Sequence, residues 1–241
     1  MITLRSILYL LFVLLTVILY VPPISIFGWI LPYRLISKVG RHWGKVNLWA
    51  LEWICGLGYQ IQGKENLPSS TCIVLCKHQS AWETIALRAL LPPEHTWVMK
   101  RELLWIPLFG WALAVYRPIA IDRSNARRSI RKLLDQGKYW LDKERWITIF
   151  PEGTRVASGQ RQHYSRSGAM LAQKTGYPVL PIAHNAGVFW RRRGVKKYPG
   201  KITLVIGKSL DPTGLSPTEI NRRVEEWIEG TVAELPFRDS Q

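Results

Sequence analysis

The chain has 241 residues, with 33 Lys and Arg against 17 Asp and Glu, a formal net charge of +16. That length suits one α/β domain with an appendage or two small domains, and the charge calls for an anionic partner: nucleic acid, anionic lipid or a phosphorylated substrate. Three cysteines without framework spacing (Cys55, Cys72, Cys76) exclude a disulfide scaffold, fit a reducing, cytosol-facing compartment, and with no His set at zinc spacing leave no structural metal.

The first predicted element is Ile7 to Val21, an almost unbroken apolar run with Arg5 just ahead of it. Pro22, Pro23 and Ile24 follow, where a cleavable signal would need small residues, so the run is expected to be an uncleaved anchor. It is shorter than the roughly 20 residues that span a bilayer. Ile24–Leu31 prolongs it beyond the prolines, which are expected to kink or break the helix. Trp29, Trp43, Trp49 and Trp53 then alternate with Arg34, Lys38, Arg41 and Lys45. Trp beside Lys and Arg favours a membrane–water interface over a nucleic-acid groove. Residues 1–57 therefore read as two helices that dip into or lie on one leaflet. A tilted single span and a buried core helix are the alternatives.

From residue 58 to 241 the pattern changes to short β-like runs alternating with helical stretches. Strands are expected at Gly58–Gln62, Cys72–Cys76, Thr96–Met99, Pro118–Ile121, Trp146–Phe150, Val179–Ala183 and Ile202–Ile206. Helices are expected at Ala81–Leu91, Asn125–Asp142, Gly168–Thr175 and Ser216–Glu234. This alternation predicts an α/β fold: a central mixed sheet flanked by helices, preceded by the N-terminal membrane-attached helical pair.

The run from Cys72 to Glu83 reads as strand, turn and helix start. Ser80 and Glu83 have capping-box spacing, which makes Ser80 the expected cap. His78 falls at the carboxyl end of the strand, the edge where open α/β sheets gather ligands. Two residues five apart inside one helix point about 140° away from each other and cannot share a site. If His78 precedes the helix, the chain can fold back and set its ring beside the Glu83 carboxylate, which would orient the ring and stabilise an imidazolium. Taken alone, the block fits a plain capping turn as well.

Three further blocks follow: Lys100–Trp111 with the run Ile119–Arg123 after it, Phe-Pro-Glu-Gly-Thr-Arg at 150–155, and Val179–Ile182. In this order, over about residues 60–210, the blocks resemble the glycerolipid acyltransferases of the 1-acylglycerol-3-phosphate acyltransferase family. The resemblance implies that His78 and Glu83 are the catalytic pair. It carries the second block onto Lys100, Pro107 and Gly110, the third onto Glu152, Gly153 and Arg155 with Thr154 between them, and the fourth onto Pro181. Two positions depart from the family pattern: Glu83 stands where Asp is usual, and Lys77 where Asn is frequent.

The implied reaction moves a fatty acyl group from a thioester to the free hydroxyl of lysophosphatidic acid, giving phosphatidic acid. A His with an ordinary pKa of about 6.5 is suited to take the hydroxyl proton, so the rate should fall below roughly pH 6–7. Arg155 offers a planar fork for phosphate oxygens; Gly153 would let backbone approach the ligand; Glu152 would hold Arg155 or a glycerol hydroxyl. Lys100, Arg101 and Arg123 are further phosphate candidates. The apolar stretch Leu103–Val115 reads as core, acyl channel or bilayer contact, and Phe189–Arg193 with Lys196 and Lys197 as an interfacial basic patch for anionic lipid or for the donor's phosphates, or as a solvated loop. No cofactor is expected beyond the co-substrate, acyl-CoA or acyl-carrier protein. The partners are lysophosphatidic acid and anionic membrane lipid, not nucleic acid, at the cytoplasmic face of a membrane. Three alternatives stand beside this reading: another acceptor such as lyso-ornithine lipid, a Cys76–His78 nucleophile pair, and a non-catalytic protein that binds anionic membrane or nucleic acid.

Overall fold

In the computed structural model, which describes residues 1–92, 94–122 and 124–236, all seven expected strands form, in one sheet. In chain order the elements are α1 (Ile2–Phe27), α2 (Tyr33–Cys55), β1 (Leu57–Gln62), β2 (Ile73–Cys76), α3 (Trp82–Leu90), β3 (His95–Lys100), α4 (Phe109–Val115), β4 (Ile119–Ile121), α5 (Ala126–Leu141), β5 (Trp146–Ile149), α6 (Ser167–Thr175), β6 (Val179–His184), α7 (Ala186–Phe189), β7 (Gly200–Ile206) and α8 (Pro217–Glu234). The sheet order is β1-β7-β6-β2-β5-β3-β4. Strands β6, β2, β5, β3 and β4 are mutually parallel, β7 is antiparallel to β6, and β1 is parallel to β7. The sheet is therefore mixed.

Strand β2 shows why its sequence is apolar throughout. Val74 and Cys76 face a core shared with α2 and α3, whereas Ile73 and Leu75 face one shared with α5, α6 and α8. With both faces covered, no polar alternation remains. The carboxyl ends of the five parallel strands meet at one edge; Lys100 and His184 are the last residues of β3 and β6 there, and the loops after β2 and β5 carry His78 and Arg155.

The two N-terminal helices are present, but the prolines do not end the first one. Helix α1 runs through Pro22 and Pro23 to Phe27. Each proline removes one intrahelical bond, to the carbonyls of Ile18 and Leu19, and the helix continues past both. The chain reverses instead at Gly28–Pro32. Helix α1 carries large exposed apolar side chains, among them Leu4, Leu11, Leu15, Ile18 and Phe27.

Two local expectations change. Helix α3 starts at Trp82, and the Ser80 hydroxyl accepts from Trp82 N–H (3.2 Å). Only the carboxylate half of the capping box closes, with Glu83 accepting from Ser80 N–H (2.7 Å). The apolar stretch after β3 folds as a 3₁₀ turn (Arg101–Trp105) and α4, which buries Ala112 and Val115 but leaves Trp105 66% and Trp111 56% exposed. Gly110 is required there: a Cβ would stand 2.3 Å from the Leu104 carbonyl oxygen.

Candidate active site

Strand β2 extends one residue past its regular end, with Lys77 N–H donating to Ile182 O (3.0 Å) of β6. The chain then turns, and the first side chain free of the sheet is His78. Its ring stacks on Phe150 at the end of β5 (centroids 4.0 Å, planes 14° apart), and Phe150 in turn meets Trp97 of β3 at 5.6 Å. Aromatic side chains thus form a floor running from β2 across β5 to β3.

His78 Nδ1 lies 2.8 Å from Glu83 Oε1. That same oxygen accepts from the backbone N–H groups of Gln79 (2.8 Å) and Ser80 (2.7 Å). The fold-back inferred from the spacing therefore occurs, and one carboxylate both closes the helix start and holds the imidazole. Burial opposes ionisation of Glu83, but His184, the His78 contact and the Ser80 N–H outweigh it, so the carboxyl is held below its ordinary range. Charge on Glu83 fixes the proton on Nδ1 of a neutral His78. Nε2 then bears the lone pair, and it takes no protein partner among the described residues.

The lowered Glu83 value has a pH signature. The folded state binds this proton less tightly than the unfolded chain, so the stabilisation is present above the ordinary carboxyl pKa and lost as pH falls. The difference in Tm between the wild type and Glu83→Gln should be widest above about pH 5 and narrow toward about pH 3. Thermal unfolding across that range checks it; a constant difference contradicts it.

Glu152, expected to hold Arg155 or a glycerol hydroxyl, does not pair with Arg155 among the described residues. Its Oε2 accepts the His78 backbone N–H (2.6 Å), and its Oε1 lies 2.6 Å from Lys77 Nζ. Lys77, completely buried, also donates to Glu229 Oε1 of α8 (2.6 Å), which accepts from the Tyr164 hydroxyl (2.7 Å) as well. Burial pushes the Glu152 carboxyl up to about 7 in spite of the adjacent Lys77. One ammonium thus serves two carboxylates beneath the His78 turn.

The remaining third-block residues lie on the loop after β5. Gly153 has φ of +69°, a left-handed conformation that favours glycine, and closes a turn onto Phe150 O (2.9 Å). Thr154 is exposed. Arg155 is half-buried; its guanidinium has no carboxylate partner among the described residues, and its carbonyl accepts from Arg192 Nη1 (2.7 Å). Lys100 is exposed at the end of β3, about 10 Å from β2 by strand spacing. Arg101 is engaged by Asp122 (2.8 Å) and lies over the Trp105 ring. Arg123 falls outside the described residues.

His184 escaped the sequence reading, although its signal was there: a histidine at the carboxyl end of an expected strand. It is fully buried, 3.8 Å from Glu83 Oε2. Its Nε2 donates to Lys77 O (2.9 Å) and its Nδ1 accepts from Ala186 N–H (3.2 Å). Burial pushes its pKa down, against the opposing pull of the Glu83 carboxylate beside it. Lys77 and Glu229 were also missed as site members. Cys76 is buried with Sγ on Lys77 O (3.2 Å), and burial with Glu83 and Glu152 nearby drives its thiol pKa well up. A thiolate is disfavoured there, which counts against the Cys76–His78 nucleophile pair.

The family model described as Acyltransferase matches residues 58–185. The chain is 45% identical over 210 residues to a 1-acyl-sn-glycerol-3-phosphate acyltransferase of Pseudomonas aeruginosa, covering 86% of this chain and 81% of that one. It is 28% identical over 195 residues to a protein of the same name from Cocos nucifera, covering 80% of this chain and 63% of that relative. In fold it is similar to the crystal structure of the 1-acyl-sn-glycerophosphate (LPA) acyltransferase of Thermotoga maritima, with a TM-score of 0.81 over the whole of both chains at 24% identity.

Proposed function

Because the chain belongs to the acyltransferase family, we propose that it transfers a fatty acyl group from a thioester to the free hydroxyl of 1-acylglycerol 3-phosphate, giving phosphatidic acid. The observation that carries this reading is the His78–Glu83 contact at the carboxyl edge of the parallel strands, on the same edge as the unpaired Arg155. His78 Nε2 takes the hydroxyl proton as the oxygen attacks the thioester carbonyl. The new C–O bond gives a tetrahedral intermediate. As it collapses the C–S bond breaks, and the departing sulfur takes the proton from Nε2. Glu83 keeps its charge throughout and holds Nδ1–H. Arg155 binds the acceptor phosphate, with Lys100 as a second cation. No cofactor is required beyond the donor, acyl-CoA or acyl-carrier protein. Glu83 reaches His78 at 2.8 Å despite its extra methylene, so this residue gives no ground for another acceptor.

Residues 1–57 serve as the membrane attachment, in one leaflet on the cytoplasmic side, and 58–241 as the acyltransferase domain. Two contacts support attachment without crossing. Near the start of α1, Ser6 Oγ accepts from Lys197 N–H (2.8 Å); near its end, Ser25 Oγ donates to Leu108 O (3.1 Å). These positions lie about 29 Å apart along the helix, and both are held by the same domain. A helix crossing the bilayer would carry one end away from it.

Purified full-length protein in mixed micelles with lysophosphatidic acid and either acyl-CoA or acyl-carrier-protein donors should form phosphatidic acid. No product with either donor would sink the proposal, and acylation of lyso-ornithine lipid alone would select that acceptor. In the same assay Arg155→Gln should raise the acceptor KM about 10- to 100-fold, the equivalent of losing a charge-assisted pair, with a much smaller change in the donor KM.

A further inference from the structure

The loop between α7 and β7 displays Arg191, Arg192, Arg193 and Lys196, all exposed. None has a carboxylate within ion-pair distance among the described residues. Four cations within six residues repel one another, and such a cluster is unfavourable unless an anionic partner lies over it.

The loop is rigidly seated. Trp190 N–H donates to Ala186 O (2.9 Å), and its ring meets Tyr9 of α1 edge-on at 5.8 Å. Lys197 is buried beneath the loop: its ammonium donates to Val195 O (2.9 Å) and lies over the Tyr9 and Trp190 rings. Gly194 N–H closes a turn onto Arg191 O (3.0 Å) and Arg193 sits at φ +58°, a strained conformation for a residue with a side chain. Nothing in these contacts ties down the four outward-facing charges except Arg192, which is on the Arg155 carbonyl.

Placement identifies the partner. The loop is pinned to the first turns of α1 through Ser6 and Tyr9. Ser6 and Tyr9 are on the face of α1 opposite the exposed Leu4 and Leu8, so with that apolar face turned to the acyl chains the loop stands at headgroup depth. At its tip Val195 is 51% exposed between Arg193 and Lys196, an apolar contact flanked by cations as at a headgroup layer. We infer that residues 191–196 form a docking surface for anionic lipid headgroups, which holds the carboxyl edge of the sheet against the leaflet that supplies the acceptor. This rests on the membrane-attached reading above and adds a charge-selective contact to its apolar one.

The test uses full-length protein carrying Arg191→Gln, Arg193→Asn and Lys196→Gln together; Arg192 is left in place because it touches the Arg155 loop. Flotation is measured with vesicles of phosphatidylcholine alone and of phosphatidylcholine mixed with phosphatidylglycerol. The triple variant should lose about 100-fold in affinity for the anionic vesicles, from roughly one charge-contact increment per residue. Binding to neutral vesicles through α1 should be unchanged, as should kcat and both KM values in neutral detergent micelles. Unchanged affinity for anionic vesicles overturns the inference. So does a rise in the acyl-CoA KM in micelles, which would assign the cluster to the donor's phosphates. Flotation requires no turnover, so its failure is read separately from failure of the acyl-transfer proposal.

Discussion

His78→Ala should lower kcat by about 10²- to 10⁴-fold, the range of a lost general base, with Tm almost unchanged. Its ring is half-buried and makes two side-chain contacts, to Phe150 and Glu83, and neither closes a backbone hydrogen bond. Glu83→Ala should behave differently. It strands the buried N–H groups of Gln79 and Ser80 as well as His78 Nδ1, so it costs about 1–3 kcal/mol of stability for each unsatisfied donor in addition to rate. In rate the two changes should be strongly non-additive, since residues acting as a unit fail together. Steady-state kinetics and thermal unfolding of both single variants and the double variant check this. If His78→Ala retained wild-type turnover, the base assignment would be wrong.

Lys77→Met should be the most destabilising single change at the site, at about 3–5 kcal/mol, because it leaves Glu152 and Glu229 buried without their shared ammonium. The double variant Lys77→Met/Glu229→Met should recover much of that stability, since apolar replacement of a buried ion pair is often neutral. Its kcat should nevertheless stay well below wild type. Glu152 then holds the His78 amide without the ammonium that fixes its own position. Denaturant unfolding measured beside turnover separates the effects: if kcat returned together with stability, the network would be structural only.

Much of the site was legible because its signals are local. The five-residue spacing of His78 and Glu83 excluded a shared site inside one helix and left room for a turn before a helix, where His78 lies. The central strands β2, β5 and β6 were legible because two covered faces demand nearly unbroken apolar runs. Helix α4 was not, since its exposed apolar residues follow no amphipathic period and Leu108 enters it at φ +60°. Pro22 and Pro23 do not stop α1, because each removes one intrahelical bond and leaves the bonds on either side in place.

By itself the sequence determined the alternation of strands and helices, the room for a His78–Glu83 fold-back ahead of a helix and the Arg155 loop after β5, each set by residues within a few positions of one another. Tertiary structure alone decided that Glu152 turns inward to Lys77, that Lys77 meets Glu229 across 152 residues of chain, and that His184 backs Glu83. The reason is physical: a buried charge takes whichever opposite charge the packing of distant elements delivers, and no periodicity or spacing along the chain encodes that choice. The His78 turn is written locally, but what holds its backbone in place comes from the far end of the chain.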